Sequence, residues 1–266
     1  MNRRNKFTVI IPTFNSELYL SKLLESVVGW ADEVIVCDSF STDNTLEIAR
    51  SHGVRILQHE YINSAKQKNW AIPQASHEWV MIIDSDELPE AALKEEITEF
   101  LENVEPDVEL AHIPRKNLFW GSMLGKGVGY PDYQSRLFRR DKGRYNGREV
   151  HAQVTVPGKE VRLRNALIHD DFTDISSWWL RNNRYYRYEL DECLKQGKKW
   201  NFKIQYAKPF AIFLLLYFRR GLFRYGFKGY FVALQWFVYY SMVGAKLYEH
   251  ELSQSKELHR KSANAN

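Results

Sequence analysis

Cysteine is scarce: two among 266 residues, Cys37 in an apolar run and Cys193 in a polar, helix-like one. That excludes a disulfide scaffold and makes a reducing compartment the expectation. Long hydrophobic runs are lacking too. AIFLLLYF (211–218) and YFVALQWFVYYSMVGA (230–245) are both shorter than the roughly 20 residues a spanning helix needs. The N-terminal MNRRNKFTVIIPTF is basic, but Pro12 cuts its apolar stretch short, so no secretory leader is expected. Glycine is absent from IIPTFNSE, the segment after the first apolar run. Neither a GxGxxG dinucleotide fingerprint nor the Gly-rich phosphate loop of a sugar-phosphate nucleotidyltransferase can sit there.

What is present describes an ordered globular protein, 44% hydrophobic and 26% charged. A net charge of +4 conceals an asymmetry: residues 178–266 carry 16 Lys/Arg against 6 Asp/Glu, and the preceding residues are net acidic. A basic end implies an anionic partner. RRGLFRYGFKG (219–229) interleaves four cations with three aromatics between the two short apolar stretches. That pattern suits an anionic membrane surface entered to one leaflet's depth. The uninterrupted FAIFLLLYF (210–218) beside it is a poor phosphate groove, so no nucleic-acid partner is expected.

The first half alternates strand and helix signals. FTVIIPT (7–13), EVIVCDS (33–39), VRILQH (54–59) and WVMIID (79–84) read as strands. Residues 16–30, 41–53, 64–75 and 90–105 read as helices. Strands apolar throughout imply a parallel sheet covered on both faces. Ligands of such sheets bind at the carboxyl ends of the strands, where Thr13, Asp38 and Asp84 emerge. RLFRR (136–140) and QVTVPGKEVRLRN (153–165) suggest an antiparallel extension, and the chain then turns helical. This divides it into an α/β domain over 1–175 and a helical extension over 176–266.

IIDSDE (82–87) sets Asp84, Asp86 and Glu87 within four positions at the end of a strand. Carboxylates so close repel and must be hydrated, paired or bound to a cation. A hard divalent ion, Mn²⁺ or Mg²⁺, shared with a ligand's phosphates fits that position.

TVIIPTFNSE (8–17), EVIVCDSFSTDNT (33–45), SAKQKNWA (64–71) and IIDSDE occur in the order and spacing of the family 2 glycosyltransferases, which the chain resembles. YPDYQSRLFRR (130–140), REVHAQV (148–154) and the basic-aromatic hairpin (208–230) are similar to the subgroup that builds bacterial lipopolysaccharide core and surface polysaccharide. The resemblance implies a GT-A fold, Rossmann-like and mostly parallel with helices on both faces. It implies single-step inverting transfer from a nucleotide-diphosphate sugar, by default a UDP-sugar, to a saccharide or lipid-linked acceptor. A peripheral enzyme on the cytoplasmic face of the inner membrane follows.

Position by position, it implies that Pro12, Thr13, Phe14, Asn15 and Glu17 cup base and ribose and that Asp38 contacts the base. Cys37 stands where relatives often carry a second acid. Lys68 replaces a common arginine at the base or diphosphate, keeping the charge but losing the bidentate fork. Asp84 touches ribose or metal, and Asp86 ligates the metal. The catalytic base must be a carboxylate near the acceptor hydroxyl. Many relatives carry Glu after the VH pair, where this chain has Ala152, leaving Asp132 and Glu149. His151 is a candidate third metal ligand, with His169 behind it, and Arg136, Arg139 and Arg184 are candidate phosphate clamps. The same departures keep open a non-catalytic, membrane- or glycan-binding member of the fold.

Overall fold

The computed structural model describes residues 5–124, 130–146, 152–170 and 175–263. They fall into two compact units, the first reaching to residue 171 and the second running from 172 to the end and including Leu124.

In the first unit, β1 (Phe7–Thr13), β2 (Glu33–Asp38), β3 (Arg55–Gln58) and β4 (Trp79–Ile82) lie parallel in the order β3-β2-β1-β4. The helices between them are α1 (Glu17–Val27), α2 (Thr45–Ser51) and α3 (Ser64–Ala71). Alternate residues of β1 feed two cores. Val9 and Ile11 pack with Leu20 and Leu23 of α1 and Ile97 of α4 (Ala91–Asn103). Ile10 packs on the other face with Ala71, Ile72 and Val80. Coverage of both faces is what makes the middles of β1, β2 and β4 apolar at successive positions.

Beyond β4 the sheet turns antiparallel through β8 (Asp132–Arg139) to β6 (Val108–Phe119), a 12-residue strand joined by the two-residue β7 (Ser122–Met123). The sheet is therefore mixed, parallel in the half reached first and antiparallel at its centre. β5 (Glu87–Pro89) closes the far edge through β12 (Leu167–His169), which runs parallel to β6 and antiparallel to β5. β11 (Lys159–Arg162) pairs with β6 in parallel, not antiparallel as its sequence suggested. The remaining hairpin strands are β9 (Arg144–Tyr145) and β10 (Val154–Thr155). The helix expected from residue 41 starts at Thr45, because residues 41–44 are committed to hydrogen bonds with the loop after β1.

The second unit consists of α5 (Ile175–Lys195), α6 (Phe202–Leu214) and α7 (Gly226–Ala263). Tyr186, Cys193, Val243 and Leu247 form its small buried core. Asn201 caps α6, its side chain accepting from the Ile204 N–H. After α6 a π-helical turn (Leu215–Arg219) ends at Gly221, whose φ of +76° favours glycine. A side chain at Gly229 would collide with the Leu222 carbonyl, so α7 begins pressed against the preceding turn. Among the described residues no helix is long and apolar enough to cross a membrane.

Candidate active site

The parallel register aligns Thr13 with Asp38 at the carboxyl ends of β1 and β2. Thr13 Oγ1 donates to Asp38 Oδ1 at 3.1 Å, and Ser41 donates to Asp38 from its N–H (2.9 Å) and its hydroxyl (2.5 Å). Asp38 is thus a buried, rigidly oriented acceptor. Pro12 lies within β1 beside Cys37, and Phe14 is exposed at the mouth. Asn15, at φ +49°, accepts from the Thr42 N–H through its side chain and donates its own N–H to Ser41 Oγ. Glu17 Oε2 accepts from both the N–H and the side-chain amide of Asn44, each at 3.0 Å. These two side chains lace the loop after β1 to the loop after β2, beside the buried Thr13–Asp38 pair.

The carboxylates after β4 do not stand alone. Lys68 Nζ of α3 meets Asp84 Oδ1 at 2.8 Å, and Arg136 Nη2 of β8 meets Asp84 Oδ2 at 2.5 Å. Arg136 also reaches Glu87 Oε1 at 2.5 Å, and Arg115 of β6 bridges Glu87 (3.2 Å) to Asp132 Oδ2 (2.8 Å). Three cations alternate with three carboxylates across the sheet, and Glu87 within this chain is fully buried. Burial alone would raise the Asp84 carboxyl; Arg136 and Lys68 overturn that and hold it far below the usual carboxylate range. For Lys68, burial works against the charge, yet Asp84 keeps the ammonium above its ordinary value.

Asp86 has a different neighbour. His169 Nε2 lies 3.5 Å from Asp86 Oδ2, because β12 pairs with β5 and sets His169 opposite Glu87. The other ring nitrogen, Nδ1, is 2.7 Å from Asn117 Oδ1, while the Asn117 amide donates to Asp132. Asn117 Oδ1 accepts from Nδ1–H. Burial would raise the Asp86 carboxyl, but Nε2–H of a protonated ring donates to it and holds it below its usual range. A deprotonated Nε2 instead leaves a lone pair turned toward the carboxylate. Two lone-pair donors face to face fit a divalent cation. Asp84, with each oxygen on a cation, has less to offer one. Among the described residues no three His, Cys, Asp or Glu side chains form a metal cage. Two protein ligands with phosphate and water completing the shell is, however, the usual habit of Mg²⁺ and its relatives. His151 and Glu149 lie outside the described residues.

Asp132 is well held: its Oδ2 accepts from Arg115 and Asn117, and its Oδ1 accepts from Gln134 at 2.8 Å. Burial pushes its pKa up, but Arg115 and the amide donors bring it below the usual range. Arg139 sits at the other end of β8, paired with Glu78 and stacked over Trp79, away from these groups.

Residues 8–156 match the family model described as Glycosyl transferase family 2. The chain belongs to that family. It is 31% identical over 255 residues to the lipopolysaccharide core biosynthesis glycosyltransferase LpsC of Rhizobium meliloti, covering 91% of this chain and 92% of the relative. The uncharacterized glycosyltransferase RT0209 of Rickettsia typhi is 27% identical, over 85% of this chain and 80% of its own. A solved structure, S. aureus TarS 1-349 in complex with UDP, aligns with a TM-score of 0.46 at 22% identity, covering 62% of this chain and 60% of that one.

In this glycosyltransferase, Arg115 escaped the sequence reading, Glu87 entered it only as one of three crowded carboxylates, and His169 ranked behind His151. Arg115 lies mid-strand in a segment with no motif of its own. His169 is preceded by two apolar residues, the only local sign that its strand is inserted into the sheet.

Proposed function

We propose that the chain is an inverting glycosyltransferase that moves a sugar from a nucleotide-diphosphate donor, UDP by preference, to a hydroxyl of a lipopolysaccharide-core or lipid-linked saccharide. The observation that carries this reading is that a buried, rigidly held acceptor, Asp38, ends β2 beside β1, while the Asp86–His169 pair follows the end of β4 on the other side of β1. LpsC, a relative along almost the whole chain, motivates the acceptor class.

Asp38 accepts from the base edge, and the end of β1 with Phe14 beyond it covers base and ribose. Asp86 and His169 would hold Mn²⁺ or Mg²⁺, with Asp84 behind them. When bound, the metal supplies positive charge to the diphosphate leaving group. Lys68 and Arg136, already fixed by Asp84, face the same region as preorganised cations. Asp132 is the base we favour over Glu149, because Arg115 and Asn117 orient it and leave Oδ1 with only Gln134. Its low pKa keeps it ionised at neutral pH, at some cost in basicity.

The second unit suits an anionic membrane surface at the cytoplasmic face. Phe202, Tyr206, Phe210 and Leu214 are exposed at four-residue spacing along α6, followed by exposed Phe218, Arg219, Arg220 and Arg224.

Calorimetric titration of UDP, GDP and dTDP, with and without Mn²⁺, into wild type and Asp86→Ala tests the donor site. Metal-dependent binding of one nucleotide, lost in the variant, is expected. A folded wild type that binds none of them would instead favour a non-catalytic member of the fold.

A further inference from the structure

Tyr145 has no role in the reading above. Its side chain is buried, the residue only 7% exposed, and its hydroxyl has no hydrogen-bond partner among the described residues. The same is true of Arg136 Nε, on a residue 4% exposed. Buried polar groups are almost always paired, so an unpaired donor at a candidate site points to an absent acceptor. Two such donors here belong to neighbours in one cluster. Lys68 Nζ lies 5.4 Å from the centre of the Tyr145 ring and 2.8 Å from Asp84 Oδ1, and the other Asp84 oxygen is on Arg136.

Tyr145 is also held in place on purpose-built contacts. Asn69, the residue after Lys68 on α3, donates its amide to the Tyr145 carbonyl and accepts from the Tyr145 N–H, both at 2.9 Å. Phe138 of β8 meets the ring edge-on, with centroids 6.4 Å apart. The two elements that deliver Lys68 and Arg136 to Asp84 therefore also position Tyr145. Within the cluster, Lys68, Arg136 and Arg115 are matched in charge by Asp84, Glu87 and Asp132. A neutral donor can bond a ligand oxygen there without bringing a charge that would need a partner when the ligand is absent.

We propose that the Tyr145 hydroxyl and Arg136 Nε are donors to a phosphate oxygen of the nucleoside diphosphate, a binding role for Tyr145 in positioning the leaving group. This rests on the nucleotide-sugar reading above. A hydroxyl or guanidinium N–H directed at a phosphate makes a charge-assisted hydrogen bond, stronger than its neutral counterpart.

The test is Tyr145→Phe, which removes one oxygen and keeps the ring. Whichever of UDP, GDP and dTDP binds wild type with Mn²⁺ is titrated into the variant, and the nucleotide-free melting temperature of both proteins is measured. A fall in affinity of about tenfold or more, with a melting temperature unchanged or raised, is expected. Unchanged affinity overturns the proposal and leaves the family reading standing. A lowered melting temperature also overturns it, since the hydroxyl would then be bonded within the nucleotide-free fold. Wild type binding none of the three nucleotides defeats both readings together.

Discussion

His169 Nε2 and Asp86 Oδ2 stand 3.5 Å apart across the β5–β12 pair, with the far side of the imidazole fixed on Asn117. Strand pairing brings to the DxD segment a histidine distant from it in sequence. His169→Ala is expected to weaken Mn²⁺-dependent nucleotide binding at least tenfold, as Asp86→Ala should; losing even an outer partner of a metal ligand commonly costs that much. Calorimetry across a Mn²⁺ series reads it. Equal Mn²⁺ dependence in wild type and His169→Ala would remove the histidine from the metal site.

Arg136 joins Asp84 to the fully buried Glu87. Arg136→Met strands buried charge and should cost about 3–5 kcal/mol of stability in urea unfolding. Arg139→Gln breaks a pair whose partner, Glu78, is largely exposed. About 1 kcal/mol or less is expected from the ion pair there.

Acid should unfold the first unit through the same cluster. Asp84, Asp86 and Asp132 all have pKa values lowered in the fold. As pH falls past the unfolded value of about 3.9, the unfolded chain takes up protons first, so stability present above that pH is lost below it. Asp84→Asn should flatten this acid limb of the stability profile. Denaturant midpoints measured from neutral pH down to the acid limit would show a parallel limb if the expectation is wrong.

Asp132→Asn keeps the shape of the residue and removes the carboxylate. A loss of about 10²–10⁴-fold in kcat with little change in nucleotide affinity is expected of a general base. If Glu149→Gln shows that pattern and Asp132→Asn does not, the base lies at residue 149.

Membrane association should depend on charge and on aromatic surface separately. Arg219→Gln with Arg220→Gln is expected to weaken binding to phosphatidylserine vesicles by about 1 kcal/mol per charge, an effect that salt erases. Phe210→Ser should weaken binding to neutral and anionic vesicles alike. Cosedimentation at two salt concentrations distinguishes these, and wild type that sediments with neither vesicle type would rule out the surface.

The sequence by itself determined the βα rhythm and the pocket that follows from it. Runs with apolar middles leading to Thr13, Asp38 and Asp84 read as strands of a covered parallel sheet, whose strand ends gather polar residues at one edge. Short-range periodicity carries that information. Only the tertiary structure decided who neutralises whom. Lys68, Arg136, Glu87, Arg115 and Asp132 come from four elements, and their pairing depends on the β4-β8-β6 order and register, which no local pattern encodes. The same holds for His169: a short strand inserted between β5 and β6 has too few residues to announce itself, and its place is set by the neighbours whose backbone hydrogen bonds it completes.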